Sequence, residues 1–140
     1  MSWDSYIDTM VAYSQKGEGF HLDTGCIIGT NGAKWTTDGH PKALKITPEQ
    51  AVTVATAFSS KKFDDFYTTG LTIEGVKYNF LRADEGEYTT LNAKKKDFGA
   101  IYAQNTKSAI VIGHCPEGQQ AGQCATAVGK ICDYLTSVGM

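Results

Sequence analysis

Apolar residues recur at helical spacing in the first and last segments of the chain. On a helix that advances ~100° per residue, Ile7 and Val11 form the centre of an apolar arc in the first segment. One edge of this arc carries larger side chains, namely Trp3, Tyr6, Met10 and Tyr13. The last segment has an apolar arc with Tyr134 at its rim, formed by Cys124, Val128, Ile131, Leu135 and Val138. The pattern predicts two amphipathic terminal helices whose rim aromatics can meet.

The clearest helix start lies in the middle of the chain. Thr47 is suited to be the N-cap, Pro48 occupies the first helical position, and Gln50 completes a capping box. Apolar residues follow at helical spacing, namely Ala51, Val54, Ala55 and Phe58. A second short helix is predicted over residues 61–66.

The central half of the chain alternates apolar and polar residues between turn signals. The pattern predicts antiparallel strands at residues 70–73, 76–83, 87–92, 99–104 and 108–114. Turns are predicted at residues 74–75, 84–86, 96–97 and 105–107. We therefore predict an α+β fold in a single domain, residues 1–140. A central antiparallel meander would carry the N- and C-terminal helices packed together on one face and the shorter helices on the other.

A further hairpin is predicted near the start of the chain. Residues 26–29 and 34–37 flank Asn31-Gly32, a dipeptide that favours a type I′ turn. Trp35 lies in the second half of this hairpin. A tryptophan such as Trp3 is by itself more often a core residue, but three amphipathic rings from Trp3, Tyr6 and Trp35 can line one groove. Such a groove suits a polyproline II ligand, which presents rings and unpaired carbonyls to aromatic side chains and their N–H or O–H donors.

The charge and the apolar content of the chain argue against nucleic-acid binding, membrane spanning and secretion. The formal net charge is −2, so attraction of the whole molecule to nucleic acid is not expected. No apolar run approaches the ~20 residues that cross a bilayer, and the first residues lack the basic and apolar regions of a secretory signal. A cytoplasmic location is expected.

The cysteines and glycines give little sign of a metal, a cofactor or catalysis. Four cysteines form no Cys-x-x-Cys pair, so buried thiols are expected. A zinc site from His114, Cys115 and Cys124 matches no usual spacing. Residues 25–34 lack the Gly-Lys-Ser/Thr order of a phosphate loop. A cysteine hydrolase remains an alternative hypothesis; it would combine Cys115 or Cys124 with His114 or His21 and requires an exposed thiol of lowered pKa.

Several short motifs follow one another along essentially the whole chain. The opening MSWDSYID has Trp, two spacers, Tyr, an apolar residue and Asp. Residues 46–49 (ITPE), 66–78 (FYTTGLTIEGVKY) and the segment from 122–124 (GQC) to 133–135 (DYL) complete the series. In order and spacing these motifs specifically resemble the profilin family.

The resemblance implies an actin-binding protein rather than an enzyme. It implies binding of actin monomers, faster nucleotide exchange on actin, and delivery of actin to filament barbed ends. Proline-rich proteins would bind a separate site, and phosphoinositide headgroups at the membrane surface would compete with actin. The chain is expected to be monomeric and to act in the cytoplasm, the cytoskeleton and the cell cortex, without a cofactor or metal. A small-molecule-sensing α+β module without actin binding is the alternative, and it predicts a closed apolar pocket under the sheet.

The resemblance also assigns residues to three sites. The proline-ligand site would comprise Trp3, Tyr6, Trp35, Tyr134, Leu135 and Met140, where Met140 stands in place of the aromatic residue with which many members end. The actin site would comprise Tyr67, Lys77, Asn79, Leu81, Arg82, Glu87, Lys94, Lys95, Gln120, Gly122, Gln123, Thr126 and Lys130. The phosphoinositide site would comprise Lys77, Arg82, Lys94, Lys95 and Lys96. Arg82 is the only arginine in the chain, and its planar fork can hold a carboxylate by two hydrogen bonds.

Overall fold

The computed structural model describes the backbone of residues 3–14, 22–37, 39, 41–85, 88–116 and 121–140, and their side chains except those of 11, 13, 14 and 121–126. The helices are α1 (Ser5–Ser14), α2 (Pro48–Ser60), α3 (Asp64–Thr69) and α4 (Ala121–Ser137). The strands are β1 (Thr24–Gly29), β2 (Leu71–Ile73), β3 (Val76–Asp84), β4 (Thr90–Lys95), β5 (Gly99–Asn105) and β6 (Ala109–Pro116). In these described parts, no helix is both long enough and apolar enough to cross a membrane.

One six-stranded antiparallel sheet forms the centre of the fold. Its spatial order is β1-β6-β5-β4-β3-β2, so β2 to β6 form a meander and β1 pairs with the far side of β6. α1 and α4 pack against each other and against one face, through β1, β5 and β6. α2 and α3 cover the opposite face. The prediction of an α+β fold with the terminal helices together is confirmed.

Alternation along the strands divides the core into two layers. On β1, Ile27 belongs to the layer under α1 and α4, whereas Ile28 belongs to the layer under α2 and α3. Successive strand residues point to opposite faces, and β6 shows the same division between Val111 and Ile112. The second layer contains a ring cluster in which Phe63 stacks on Phe80 with centroids 6.1 Å apart. Both faces of the sheet are therefore anchored by helices.

The predicted start of α2 is confirmed. The Gln50 N–H donates to the Thr47 hydroxyl, and the Thr47 N–H donates to the Gln50 side chain, so the capping box is complete. α2 ends where Lys61 adopts a left-handed conformation with φ 59°. This reversal separates α2 from α3, which begins at Asp64, three residues later than the second helix predicted from sequence.

The predicted hairpin around Asn31-Gly32 is only partly correct. Its second half forms no strand; one isolated bridge joins Ile28 to Lys34. Asn31 does not have the positive φ that a type I′ turn requires. Instead, the Asn31 side chain accepts a hydrogen bond from the Ala33 N–H, and Gly32 alone takes a positive φ of 89°. The local Asn hydrogen bond thus produces a longer loop than the dipeptide predicts.

Type I′ geometry occurs at another predicted turn. Glu74 and Gly75 have φ values of 55° and 74°, and they join β2 to β3 with Ile73 opposite Val76. The predicted turn there is confirmed. The two positive φ values match the twist of the flanking strands, as two-residue hairpins require.

The strand predicted at residues 87–92 was placed too early. β4 runs from Thr90 to Lys95 because its first residue pairs with Asp84 of β3 and its last with Gly99 of β5. Residue 87 lies outside the described residues, and residues 88 and 89 are not in a strand. Alternation alone did not give this boundary, since pairing with both neighbours sets the register.

Candidate functional site

Four aromatic rings form a continuous surface that we call the aromatic row: Trp35, Trp3, Tyr6 and Tyr134. The ring centroids of Trp3 and Trp35 lie 4.7 Å apart, those of Trp3 and Tyr6 5.1 Å apart, and those of Tyr6 and Tyr134 5.8 Å apart. These separations are within the range of favourable aromatic contacts. The rings that the sequence analysis grouped into a groove are therefore neighbours.

The packing of the terminal helices brings the row together. Trp3 lies in the turn before α1, where its carbonyl accepts a hydrogen bond from the Tyr6 N–H at 3.0 Å. Ile7 and Met10, both fully buried, attach α1 to the core. Tyr134 projects from α4 and is 49% exposed, while the next residue, Leu135, is fully buried. On each helix, a tyrosine of the row is therefore followed directly by a buried apolar residue, Ile7 on α1 and Leu135 on α4.

Trp35 reaches the row from the loop after β1. Its backbone N–H donates to the Ile27 carbonyl at 3.0 Å, which holds the segment against the strand. The indole then lies over Gly29, where an added Cβ would come within 2.8 Å of the indole nitrogen. Only glycine leaves room for the ring in this position. The glycine-rich loop therefore serves the site by allowing a close approach.

A slot between α1 and α4 adjoins the row. Its volume is about 300 Å³, and it is lined by Ser5, Tyr6, Thr9, Ile131 and Tyr134. The sequence pattern does not indicate Ser5 and Thr9 as site residues, and it places Ile131 in the apolar arc of the last helix. Helical spacing was the signal available, because Thr9 and Ile131 lie three positions from the two tyrosines and share their side of each helix.

Tyr134 affects the protonation of Tyr6 at the end of the row. Burial raises the pKa of the Tyr6 phenol above its ordinary value of 10.0, and the hydrogen bond and charge of Tyr134 raise it further. Tyr6 therefore stays protonated at physiological pH. A neutral phenol can donate to a ligand carbonyl while its ring contacts apolar ligand atoms.

The last two residues assigned to the proline-ligand site have different positions. Leu135 lies in the core layer beneath the row rather than on its surface. Met140 is half-buried and packs against the same layer, and its carbonyl accepts hydrogen bonds from the Ser108 N–H and the Thr106 hydroxyl. The structure thus places Leu135 as a support of the rings.

A second surface of different character lies on β3 and β4. We call it the basic face, and its members point to the same side of the two strands: Lys77, Asn79, Arg82, Asn92 and Lys94. Asn79 pairs with Lys94 and Arg82 with Asn92, and cross-strand partners share a face. The alternate residues of β3, Tyr78 and Phe80, are buried on the opposite side.

A β-bulge shapes this basic face. The register shifts between Phe80 and Arg82, so Leu81 is an extra residue and is 53% exposed. The Arg82 Nε donates to Asp84 at 3.1 Å, with both side chains largely exposed. The bulge therefore presents an apolar side chain and a guanidinium side by side.

Other described residues assigned to the actin and phosphoinositide sites lie outside this face. Lys95 is on the opposite side of β4 from Lys94, and Lys96 lies in the following turn. Tyr67 is 64% exposed, and its ring meets Phe80 edge-on at 4.7 Å. Lys130 is exposed on α4. Register thus unites Lys77, Arg82 and Lys94 but separates Lys95 from them.

Comparison with known proteins identifies the family. A family model described as Profilin matches residues 1–140. The chain belongs to the profilin family. A profilin of Suberites domuncula is 52% identical and one of Heliocidaris crassispina 46% identical, each over 142 aligned positions covering all of both chains.

Solved profilins also share the fold. Profilin IA of Acanthamoeba castellanii is similar with a TM-score of 0.79 at 29% identity, and profilin II of that organism with 0.80 at 28%. Each comparison covers 99% of this chain and 100% of the other. Mouse profilin IIa, solved in complex with a double repeat from the FH1 domain of mDia1, has a TM-score of 0.70 at 20% identity, with full coverage of both chains. At that identity the likeness concerns the fold.

Some assigned residues cannot be placed in this profilin. Glu87 and Gln120 lie outside the described residues, as does His21. Gly122, Gln123, Cys124 and Thr126 lie in α4, but their side chains are not described. Their roles stay predictions from the family resemblance.

The described thiols do not fit a nucleophile. Cys26, Cys115 and Cys132 are buried. Burial raises the pKa of Cys132 to about 12, and the Asp133 charge adds to it. His114 is also buried, and its Nδ1 hydrogen bonds with Asp23. The hydrolase hypothesis requires an exposed thiol of lowered pKa, and none is found among the described residues. In the same part of the chain, no three His, Cys, Asp or Glu side chains come together in a way that could hold a metal ion.

A cleft of about 560 Å³ lies between α2 and α3, on the side of the sheet opposite α1 and α4. Val52 and Phe66 are among the residues that line it, with Thr53 and Thr56. Val52, Thr53 and Thr56 are exposed, so the cleft is at the surface. It is not the closed apolar pocket under the sheet that a small-molecule-sensing module predicts.

Proposed function

We propose that this protein binds actin monomers and regulates actin polymerisation, and that it holds proline-rich ligands at a separate site. The observation that carries the proposal is the aromatic row, in which rings from the turn before α1, from α1, from α4 and from the loop after β1 meet within 4.7–5.8 Å. Membership of the profilin family supports the same function.

The aromatic row suits a polyproline II ligand. Such a helix rises about 3.1 Å per residue, so neighbouring ring centres 4.7–5.8 Å apart correspond to about two ligand residues. Prolyl rings would lie against the indoles, and ligand carbonyls would accept hydrogen bonds from the indole N–H and the tyrosine hydroxyls. The complex of mouse profilin IIa with an FH1 repeat supports this type of ligand for the family.

The basic face is proposed to contact actin. It lies on β3 and β4, whereas the aromatic row is built on α1, α4 and the loop after β1. Arg82 offers a planar donor for a carboxylate, and the adjacent Leu81 offers exposed apolar surface. Separate surfaces allow one molecule to hold actin and a proline-rich protein together. Such a ternary complex would deliver actin to filament barbed ends.

Phosphoinositide headgroups are proposed to compete with actin for the basic face. Lys77, Arg82 and Lys94 lie on the same side of adjacent strands, so their charges act together on a phosphate-bearing ligand. The same cations would contact actin, which makes the two interactions mutually exclusive. This binding would bring the protein to the cell cortex in addition to the cytoplasm and the cytoskeleton.

The proposed effect on actin needs no chemical step by this chain. Binding would change the actin conformation that holds its nucleotide and so speed nucleotide exchange. A ligand can shift such an equilibrium only by its differential affinity for the two conformations. The effect should therefore saturate with actin binding and require neither metal nor cofactor on this protein.

Tryptophan fluorescence provides the first test of the proline site. Both tryptophans belong to the aromatic row, so titration with an octaproline-length peptide should give a saturable change in their emission. A peptide of the same length made of glycine and serine is the matched control, because it lacks the preformed polyproline II ridge. A folded protein whose emission does not respond to octaproline would contradict the proline site.

Actin binding is tested separately. The protein should lengthen the lag of spontaneous actin polymerisation and speed the release of a fluorescent nucleotide from actin monomers, both saturating at the same concentration. Normal polymerisation and normal nucleotide release in an excess of the folded protein would contradict the actin proposal.

A further inference from the structure

Asp4 and Thr37, which are 33 positions apart in sequence, join the turn before α1 to the segment after Trp35. One Asp4 carboxylate oxygen accepts a hydrogen bond from the Thr37 backbone N–H at 2.7 Å. The other accepts one from the Thr37 hydroxyl at 2.6 Å. Hydrogen bonds to an ionised carboxylate are stronger than those between neutral groups. One carboxylate thus holds both the backbone and the side chain of a single residue.

This contact flanks the closest ring pair of the aromatic row. Asp4 directly follows Trp3, and Thr37 comes two residues after Trp35, whose ring lies 4.7 Å from that of Trp3. Thr36, which lies between Trp35 and Thr37 in sequence, is buried, and its hydroxyl accepts a hydrogen bond from the Ile27 N–H at 3.1 Å. Residues 35–37 are therefore attached to β1 on one side and to the start of α1 on the other.

We propose that Asp4 is a positioning residue of the proline-ligand site, which by holding Thr37 fixes Trp35 against Trp3. The ligand part of this inference rests on the proposed function; the ring geometry does not. Without the carboxylate, the segment would keep its attachment to β1 but lose its attachment to α1. Trp35 would then have to be ordered during ligand binding, and this cost would weaken the affinity.

Asp4 can also stabilise α1, and the experiment must distinguish this effect from its contact with Thr37. It precedes the first residue of α1, a position where a carboxylate also stabilises a helix N-terminus. Asp4→Ala therefore removes more than the contact with Thr37. Thr37→Val removes only the hydroxyl contact with the carboxylate and leaves Asp4 in place at the start of the helix.

The experiment compares Asp4→Ala, Thr37→Val and the double variant with the unchanged protein. Asp8→Ala is the matched control, because it removes an exposed carboxylate from the first turn of α1. Calorimetry with an octaproline-length peptide gives the affinity. Circular dichroism gives the exciton coupling between the two indoles, which reports on their mutual geometry rather than on stability.

We expect Asp4→Ala to weaken peptide binding about fivefold to tenfold, as expected for lost hydrogen bonds, and to reduce the indole coupling. Thr37→Val should do the same to a smaller extent. The double variant should bind no more weakly than Asp4→Ala, because the hydroxyl has then already lost its partner. Asp8→Ala should leave affinity and coupling unchanged.

Other outcomes would overturn the positioning role. Additive losses in the double variant, or unchanged indole coupling in Asp4→Ala, would show that the carboxylate acts elsewhere. If Asp4→Ala does not fold, Thr37→Val decides, and unchanged affinity and coupling in that variant would refute the inference. If the unchanged protein binds no peptide, the proposed proline site fails, while the coupling measurements still decide whether Asp4 positions Trp35.

Discussion

The aromatic row and the basic face are held in different ways. The rings of the row contact one another at 4.7–5.8 Å and rest on a buried layer that includes Leu135. The cations of the basic face project into solvent, and the Arg82 side chain is 70% exposed. The rings of the aromatic row are thus fixed by contacts with one another, whereas the cations of the basic face are largely surrounded by solvent.

This difference predicts different energetics. Rings with few rotatable bonds lose little entropy on binding, so the row can hold a weakly polar ligand without strong charges. Long cationic side chains lose more rotamer freedom, and salt screens their attraction to a partner. The row should therefore be insensitive to salt, and the basic face should depend on it.

Trp3→Ala should produce the largest effect. Trp3 contacts both Trp35 and Tyr6, so its loss interrupts the row in the middle. We expect the affinity for an octaproline-length peptide to fall about 100-fold or more, as for a central aromatic hot spot, with actin binding almost unchanged. Calorimetry and actin polymerisation assays measure the two affinities.

Tyr67→Ala is the reciprocal control for Trp3→Ala. It removes an exposed ring of α3 that the family resemblance assigns to the actin site, and it should weaken actin binding while sparing the peptide. Equal loss of both activities in either folded variant would contradict two separate sites.

Arg82→Ala should weaken actin binding by about 1.5–3 kcal/mol, a factor of about 10 to 150, if the guanidinium makes a charged hydrogen bond at the interface. The exposed ion pair with Asp84 contributes little to folding. Thermal unfolding should therefore stay the same, which separates an interface effect from a loss of stability.

Two substitutions sharpen the result for Arg82. Arg82→Lys keeps the charge but not the planar fork, so it should recover only part of the affinity. Lys62→Ala removes an exposed cation beside α2 and α3 and should have no effect on actin binding. Unchanged affinity in Arg82→Ala would remove this residue from the proposed actin site.

Tyr78 links the basic face to the core beneath it. Burial raises the pKa of this phenol well above its ordinary value of 10.0, and the charges of Glu74 and Asp23 add to this. Below about pH 10 the phenol is protonated in both the folded and unfolded states. Above it only the unfolded state loses the proton, so the free energy of unfolding should fall by at most about 1.4 kcal/mol per pH unit.

Tyr78→Phe should reduce this alkaline slope but not abolish it, because Cys132 and Tyr6 also have raised pKa values in the folded state. Urea unfolding between about pH 9 and 11 measures it, with Tyr67→Phe as the control because that phenol is largely exposed. An identical slope in the unchanged protein and in Tyr78→Phe would show that the phenol is not the group responsible.

Lys94 and Lys95 offer the finest comparison, because they are adjacent in sequence but point to opposite sides of β4. Each favourable cation contributes about 1 kcal/mol to binding at an anionic membrane. Lys94→Gln should therefore weaken binding to vesicles that contain phosphoinositide about fivefold, and Lys95→Gln should have a smaller effect. Vesicle co-sedimentation at low and high salt measures this, and equal losses would contradict the shared face of Lys77, Arg82 and Lys94.

Local sequence predicted best where local interactions decide the structure. The start of α2 needs only Thr47, Pro48 and Gln50, which meet within one turn. The limits of β4 depend on pairing with β3 and β5, so alternation placed the strand too early. At Asn31 a hydrogen bond from Ala33 changed the turn that the Asn-Gly dipeptide predicted.

The same distinction applies to the candidate sites. The sequence identified the four rings of the aromatic row, and helical spacing made Tyr6 and Tyr134 plausible neighbours. It gave no sign of the Asp4–Thr37 contact, which joins residues 33 positions apart. It also grouped Lys95 with Lys94, because a run of lysines does not show which side chain faces which side of the strand.

The sequence by itself determined the amphipathic terminal helices, the capped start of α2, the alternating meander and the residue types available to each surface. These follow from interactions within a few residues and from the periods of helix and strand. Only the tertiary structure decided the register of β4, the position of Trp35 over Gly29 and the hold of Asp4 on Thr37. Those features depend on contacts between distant segments, which form only when the helices have packed on the sheet.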